Sequence, residues 1–209
     1  MAASRKIALV LMLASLPTSA QDASGSVESG VWPFVATLDG QPIGTHRFAI
    51  AGTPRLREVD SHADFVVRFF GIAVYRYRFS DKERWEGDCL RALRSDTDDD
   101  GRHLQVDAHF DGECVMSFAY WNPRIVEQSH LVDPQSGRLE PVRFERVADS
   151  DILVHDHPEP ARGWRLITAS QRITVWYSSS DGRWIALDAD VKGGRELGYR
   201  LPSTLRDSS

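Results

Sequence analysis

No enzyme signature can be read in this chain. It lacks the Gly-x-Ser-x-Gly of a nucleophile elbow, the His-Glu-x-x-His of a zinc protease and any glycine-rich phosphate loop, so those chemistries have no local motif to rest on. Internal repeats, charge blocks and low-complexity tracts are absent as well. No stretch after residue 20 approaches the roughly 20 apolar residues of a membrane-spanning helix, which predicts no transmembrane anchor. Cysteine is scarce: Cys89 and Cys114 are the whole complement, without the Cys-x-x-Cys spacing or basic helix terminus that lowers a thiol pKa. The formal charge of −5 argues against nucleic acid, or an anionic membrane, as a partner held by bulk electrostatics.

What is present begins with an address. Arg5 and Lys6 form a basic n-region, Ile7 to Leu16 an uncharged apolar run, and Thr18-Ser19-Ala20 a small-residue cleavage site, the three parts of a secretory signal peptide. Cleavage near Ala20 is expected to leave Gln21 first and, since the leader holds two bases and no acid, to take the charge to −7. No cysteine stands near that site, so a lipid anchor is not expected. The remainder reads as a flexible lead-in (21–30), a single β-rich domain (31–202) and a polar, disordered tail (203–209). In an exported chain an even pair of cysteines reads first as a disulfide. Closing the 25 positions between Cys89 and Cys114 is worth roughly 3 kcal/mol in the chain-entropy model. If Val106 and Val115 lay on successive strands of a meander, the cysteines would stand about 10 Å apart, too far to bridge. The bond therefore requires Asp111-Gly112 to be a bulge or bend and not a full reversal.

The dominant period is two. Val59, Ser61, Ala63, Phe65, Val67 and Phe69 alternate with Asp60, His62, Asp64 and Arg68, which sets one face on a core and one in water. After Gly71, Ala73, Tyr75, Tyr77 and Phe79 resume the pattern opposite Arg76 and Arg78, so a long hairpin is predicted. Trp32, Phe34, Ala36 and Leu38 alternate up to the turn Asp39-Gly40-Gln41-Pro42, with Phe48 and Ile50 on the return strand. Leu104, Val106, Ala108 and Phe110 follow the turn signal Asp98-Asp99-Asp100-Gly101. Later strands are expected over 139–147, 164–168, 172–178, 183–190 and 195–201, with turns at Asp181-Gly182 and Gly193-Gly194. Asn122 as cap and Pro123 in the first turn predict one short helix over Arg124 to Leu131. The architecture predicted is mainly β: a curved antiparallel sheet or open half-barrel of about ten strands, with the helix across its edge or mouth.

Three constellations are candidates for chemistry. His155, His157 and Glu159 gather metal-ligating groups in one short stretch, although the spacing is weakly specific and Pro158 and Pro160 suit a solvated surface loop. Arg76 and Arg78 project to one side of their strand and present two guanidinium forks to an anion; the competing reading, cross-strand pairs with acids such as Asp60 or Asp64, is the commoner use of such a pattern. The aromatics Phe65, Tyr75, Tyr77, Phe118, Tyr120 and Trp121 either fill a core or line a cavity for an apolar ligand. No cofactor is implied.

The string Cys114-Val115-Met116-Ser117-Phe118-Ala119-Tyr120-Trp121-Asn122-Pro123, the following Leu131-Val132-Asp133-Pro134-Gln135-Ser136-Gly137, the pair Trp176-Tyr177 and the ending Gly194-Arg195-Glu196-Leu197-Gly198-Tyr199-Arg200-Leu201 resemble an uncharacterised family of exported proteobacterial proteins, a domain of unknown function. The match runs from the Asp39-Gly40 hairpin onward. Its layout is similar to the periplasmic lipoprotein carriers of the LolA and LolB type, a curved antiparallel sheet with a helical lid over an apolar concavity. The family motifs name no activity; the export leader, the absent catalytic signature, the aromatic load and this likeness in layout together point to a periplasmic, non-catalytic binding or accessory protein that accommodates a lipid or other apolar group on its concave face. Two alternatives stand beside it: a metal-dependent or other hydrolase using the His155 to Glu159 loop or histidines such as His62 and His109, and a structural envelope-maintenance protein with a solid core.

Overall fold

The computed structural model describes residues 29–202; the expected leader, nearly all of the lead-in and the tail from 203 lie outside the described residues. The first alternating segment is β1 (Gly30–Leu38), which buries Trp32, Phe34, Ala36 and Leu38. It turns through Asp39-Gly40 and returns as β2 (Gln41–Gly52), burying Phe48 and Ile50. The turn residues have φ of 50° and 76°. Such paired left-handed geometry matches the twist of a tight hairpin, and Asp-Gly reaches it at little steric cost. β3 (Leu56–Phe69) and β4 (Ile72–Glu86) form the predicted long hairpin, and β5 (Cys89–Asp99) and β6 (Arg102–His109) extend the meander.

Three short strands follow, β7 (His130–Val132), β8 (Leu139–Pro141) and β9 (Arg143–Arg146). A second meander comprises β10 (Ser150–Val154), β11 (His157–Ile167), β12 (Arg172–Ser178), β13 (Trp184–Val191) and β14 (Arg195–Arg200). The described residues thus hold 14 strands, more than the ten or so expected, because the strand expected over 139–147 is divided into β8 and β9, and β7, β10 and the first half of β11 form where no strand was expected. Pro158 and Pro160 sit inside β11, paired with Leu153 and Asp151 of β10. β12 pairs with β11 only from Ala161 onward, so the prolines' missing N–H groups fall where no second ladder needs them.

β14 pairs antiparallel with β1, from Val35↔Arg200 to Leu38↔Leu197, and this seam joins the two meanders into one sheet. Its order is β10-β11-β12-β13-β14-β1-β2-β3-β4-β5-β6, with β9 continuing the edge of β11 beyond β10. β6 and β10 are not paired, so the sheet is antiparallel and open. No helix is long and apolar enough to cross a membrane among the described residues.

The segment after β6 closes the inner face. Met116, Ala119, Trp121, Ile125, Leu131 and Val132 are buried in the same core as the strands. The segment touches both halves of the sheet: Trp121 packs on Trp85 of β4 at 5.2 Å between ring centroids, while the Tyr177 hydroxyl of β12 donates to the Tyr120 carbonyl at 3.0 Å. A sheet whose distant strands reach one short segment is strongly curved. The expected helix shrinks to a 3₁₀ turn, Pro123–Glu127, capped by Asn122, whose side chain accepts from the Arg124 N–H. Leu131 belongs to β7 instead. The Val132 N–H donates to the Met116 carbonyl at 2.8 Å, pinning both ends of an Ω-type loop and leaving no length for a longer helix.

The disulfide requirement is met by the same path. β6 runs beside β5 down to Ala92↔His109, and no return strand follows. The chain bends at Gly112-Glu113, the Leu90 N–H donates to the Val115 carbonyl, and Cys114 lies bonded to Cys89 with Cα atoms 4.8 Å apart.

Candidate functional site

Strand alternation sends a line of polar residues onto the inner face. Ser61, Asp81 and Ser95 lie in register across β3, β4 and β5, and Glu83 follows Asp81 two residues on; all four are buried. His46 of β2 stacks on Phe48, with ring centroids 4.1 Å apart. Its Nδ1 lies 3.0 Å from the Tyr199 hydroxyl of β14 and its Nε2 2.8 Å from Ser61 Oγ. Ser61 in turn hydrogen-bonds the Asp81 carboxyl. Glu83 accepts from Trp85 Nε1 at 2.9 Å and from the Ser117 hydroxyl of the covering segment.

Burial sets the protonation of this line. It lowers His46 to about 3, so the imidazole is neutral and carries one N–H. One arrangement serves Tyr199, His46 and Ser61 together: Tyr199 O–H donates to Nδ1, Nε2–H donates to Ser61 Oγ, and Ser61 O–H donates to Asp81. Burial raises Glu83 to about 7. Asp81 is raised too, first by burial and then by the neighbouring Glu83 and Asp60 carboxylates.

A serine against a histidine invites comparison with a nucleophile and its base. The order here is different. The second imidazole nitrogen faces a phenol, the carboxyl sits on the serine, and Ser61 is only 1% exposed, so no substrate reaches its oxygen. The line is a structural network that ties β2, β3, β4 and β14 together. No local motif marks these residues as a group, although Ser61 stands on the inward positions of its strand and Asp81 and Glu83 share an alternating face with Phe79 and Trp85. Asp81 Oδ1 and Thr97 Oγ1 are buried without a hydrogen-bond partner.

The expected cavity residues divide. Phe65 stacks on Tyr77 at 5.5 Å, and on the covering segment Phe118 lies 6.3 Å from Tyr120. Tyr77, Phe118 and Tyr120 are half-buried, whereas Phe65 and Trp121 are core residues; the Arg57 guanidinium lies over the Trp121 ring at 5.6 Å. Tyr75 leaves the set: it is exposed, and its hydroxyl donates to Asp99 Oδ1 at 2.6 Å. The pairing slips between Val67 and Arg68, and past Tyr77 no layer faces the strand. Burial raises the Tyr77 phenol, with Tyr199, Tyr75, Asp99 and Asp133 adding to it; Tyr120 is raised by burial and then by Asp133 and Tyr77. Tyr77 of the wall and Tyr120 of the cover thus come within electrostatic reach of one another.

Two surface depressions, of about 300 and 510 Å³, are lined chiefly by charged groups: Lys82, Arg94 and Asp107 in one, Arg165, Asp188 and Glu196 in the other. Neither is lined by the aromatic set.

Arg78 does not join Arg76 in a free fork. Arg78 lies between Asp64 and Asp98 in register, with its Nε 3.9 Å from Asp64, the cross-strand pairing that favours the ordinary reading. The Arg76 backbone N–H donates to Asp100 at 3.3 Å. His155, His157 and Glu159 do not converge: His155 occupies a hairpin turn at φ 49° with Nδ1 on the Pro202 carbonyl, His157 is exposed, and Glu159 faces Arg183 at 3.9 Å. No group of three or more His, Cys, Asp or Glu among the described residues is placed to hold a metal. His62 and His109 lie on the outer face, each beside an acid, Asp60 and Asp107.

Residues 34–202 match the family model described as "Domain of unknown function (DUF6134)", and the chain belongs to that family. Among solved structures it is similar to a beta-barrel-like protein of domain of unknown function DUF1849 from Brucella abortus, with a TM-score of 0.54 and 8% identity over 81% of this chain and 94% of that one. At that identity the likeness concerns the fold alone. No curated protein matches.

Proposed function

We propose that the protein is an exported, periplasmic, non-catalytic binding protein that accommodates a lipid or other apolar group between the inner wall of the sheet and its covering segment. The observation that carries this is the aromatic seam between wall and cover, where Tyr77, Phe118 and Tyr120 remain only half-buried. Aromatic surface left partly open at the join of two layers suits an apolar body with a polar end. The Cys89–Cys114 bridge supports an oxidising compartment, as does the leader read in residues 1–20. The non-catalytic reading is supported by the sealing of Ser61 and His46 away from any substrate.

A second reading, a structural envelope protein without a small ligand, is favoured by the buried Met116, Trp121, Ile125 and Leu131, which already fill the inner face. Native mass spectrometry of protein released gently from the periplasm separates the two, because a co-purifying apolar mass supports the first. Phe118→Ala with an unchanged melting temperature and lost uptake of a fluorescent fatty acid agrees. A wild-type protein that carries nothing and never takes up the probe, with Phe118→Ala destabilised, leaves the structural reading. N-terminal sequencing of that material is expected to begin at Gln21; a chain beginning at Met1 overturns the export reading.

A further inference from the structure

β3 and β4 outrun their neighbours. β2 pairs with β3 only as far as Phe65, and β5 pairs with β4 only as far as Tyr77. Residues 66–76 therefore continue as a two-stranded ribbon, Val66↔Arg76 to Phe69↔Ile72, and at about 3.4 Å per residue it projects roughly 13 Å. Its end is apolar and open to solvent: Phe69 is 64% exposed, Phe70 89%, Ile72 70% and Val74 53%. The only charges between 66 and 76 are Arg68 and Arg76, on a chain whose total is −5.

The turn itself is unusual. Phe70 and Gly71 take φ of 48° and 81°, the same left-handed pair that Asp39-Gly40 and Asp100-Gly101 form elsewhere in the sheet. Those two hairpins use aspartate, which tolerates this conformation; a bulky aromatic side chain does not adopt it readily. Phe70 bears that cost outside the core, its ring set edge-on to the Phe69 ring at 4.4 Å between centroids, and an exposed apolar tip also invites aggregation. Strain at a solvent-facing side chain that does nothing for the core directs attention to function.

We propose that this ribbon is a membrane-docking finger. Phe69, Phe70, Ile72 and Val74 enter the boundary between headgroups and acyl chains of an anionic phospholipid surface, and Arg68 and Arg76 engage the phosphates. A few side chains on a narrow tip fall far short of the roughly 800 Å² per partner of a stable protein interface, but suffice to enter a bilayer. Since the chain as a whole is repelled by an anionic surface, the cationic collar at the ribbon orients its approach. Asp99 and Asp100, held at the ribbon's base by the Tyr75 hydroxyl and the Arg76 N–H, limit insertion to the tip. This inference stands apart from the reading of the aromatic seam.

The test is cosedimentation of the full exported chain with phosphatidylethanolamine vesicles containing phosphatidylglycerol. F69D/F70D is expected to melt with the wild type and to lower the partition coefficient about a hundredfold, a tenfold share for each partly inserted ring. R68Q/R76Q is expected to lower it about twentyfold on these vesicles and to leave the weaker binding to phosphatidylcholine unchanged. In F70W the added tryptophan is expected to be quenched by brominated lipid beyond the wild-type background. Equal binding by F69D/F70D overturns the proposal. So does a wild-type chain that binds neither vesicle; a photo-crosslinker at position 70 that then captures a protein assigns the tip to a protein partner.

Discussion

If the covering segment is part of the folding unit, cutting one of its deepest anchors must destabilise the whole sheet as one cooperative unit. Ile125 is fully buried, at 0% exposure, in the 3₁₀ turn held by the Ile125 N–H to the Asn122 carbonyl at 3.0 Å. Ile125→Ala deletes everything beyond Cβ. The lost transfer energy, at about 0.8 kcal/mol per buried methylene, plus the cavity left in a core that relaxes only in part, comes to about 3 kcal/mol. For a domain of this size that corresponds to roughly 6–12 °C in melting temperature. Phe118→Ala, on a half-buried ring of the same segment, is expected to cost clearly less than the 3–5 kcal/mol typical of a core phenylalanine. Thermal melts followed by near-ultraviolet circular dichroism, with urea titration for the slope m, measure both. A single transition shifted down with m unchanged is expected for Ile125→Ala. A melting temperature within about 2 °C of wild type, with only the Val132 amide exchanging faster, would refute the reasoning and show that the segment opens as an independent lid.

Reduction of the Cys89–Cys114 bridge, or its replacement by serines, is expected to cost about 3 kcal/mol for the 25-residue separation on the chain-entropy account; thiol titration of denatured, unreduced protein finding two thiols would contradict the bridge. Glu83, raised in the fold to about 7 against an ordinary 4.5, favours its uncharged form, so its contribution is whole below about pH 4.5 and is lost as pH rises to about 7. Glu83→Gln should reduce that loss in urea midpoints measured across pH, and a profile superimposable on wild type would count against the burial argument. His46, lowered to about 3 against 6.5, works in the other direction: its contribution is present above about pH 6.5 and is lost as pH falls toward 3, and His46→Gln should flatten the acid limb.

Much of the fold was legible because strand alternation is a local property. Trp32, Phe34, Ala36 and Leu38 point inward for the reason the sequence suggests: successive Cβ atoms alternate across a pleat. The same rule placed Ser61 on the inner face, yet gave no means of seeing that His46, fifteen residues away, and Tyr199, on the last strand, would meet it. Their meeting depends on the β14–β1 seam, which no local pattern announces. The bend after His109 was legible only as a condition on the disulfide, and the chain meets it by omitting a strand.

Tyr75 and Tyr77 show where local reading stops. They stand two residues apart on one strand, and alternation assigns them the same face and the same role. Tyr77 has β5 beside it and Phe65 and Phe79 stacked against it. Tyr75 has outrun β5 and reaches back only to Asp99. A strand's pattern fixes the direction in which a side chain points, but whether that direction ends in a core, a seam or solvent is decided by how far the neighbouring strands extend. Those lengths are set elsewhere in the chain, by the turn at Asp100-Gly101 and by the end of the β2–β3 ladder at Gly44↔Phe65. The alternation that continues through Phe69 and resumes at Ala73 therefore describes two different environments in succession, a packed wall and then a free ribbon. The apolar residues of the ribbon, which serve no core, are for that reason the ones whose presence calls for an external surface.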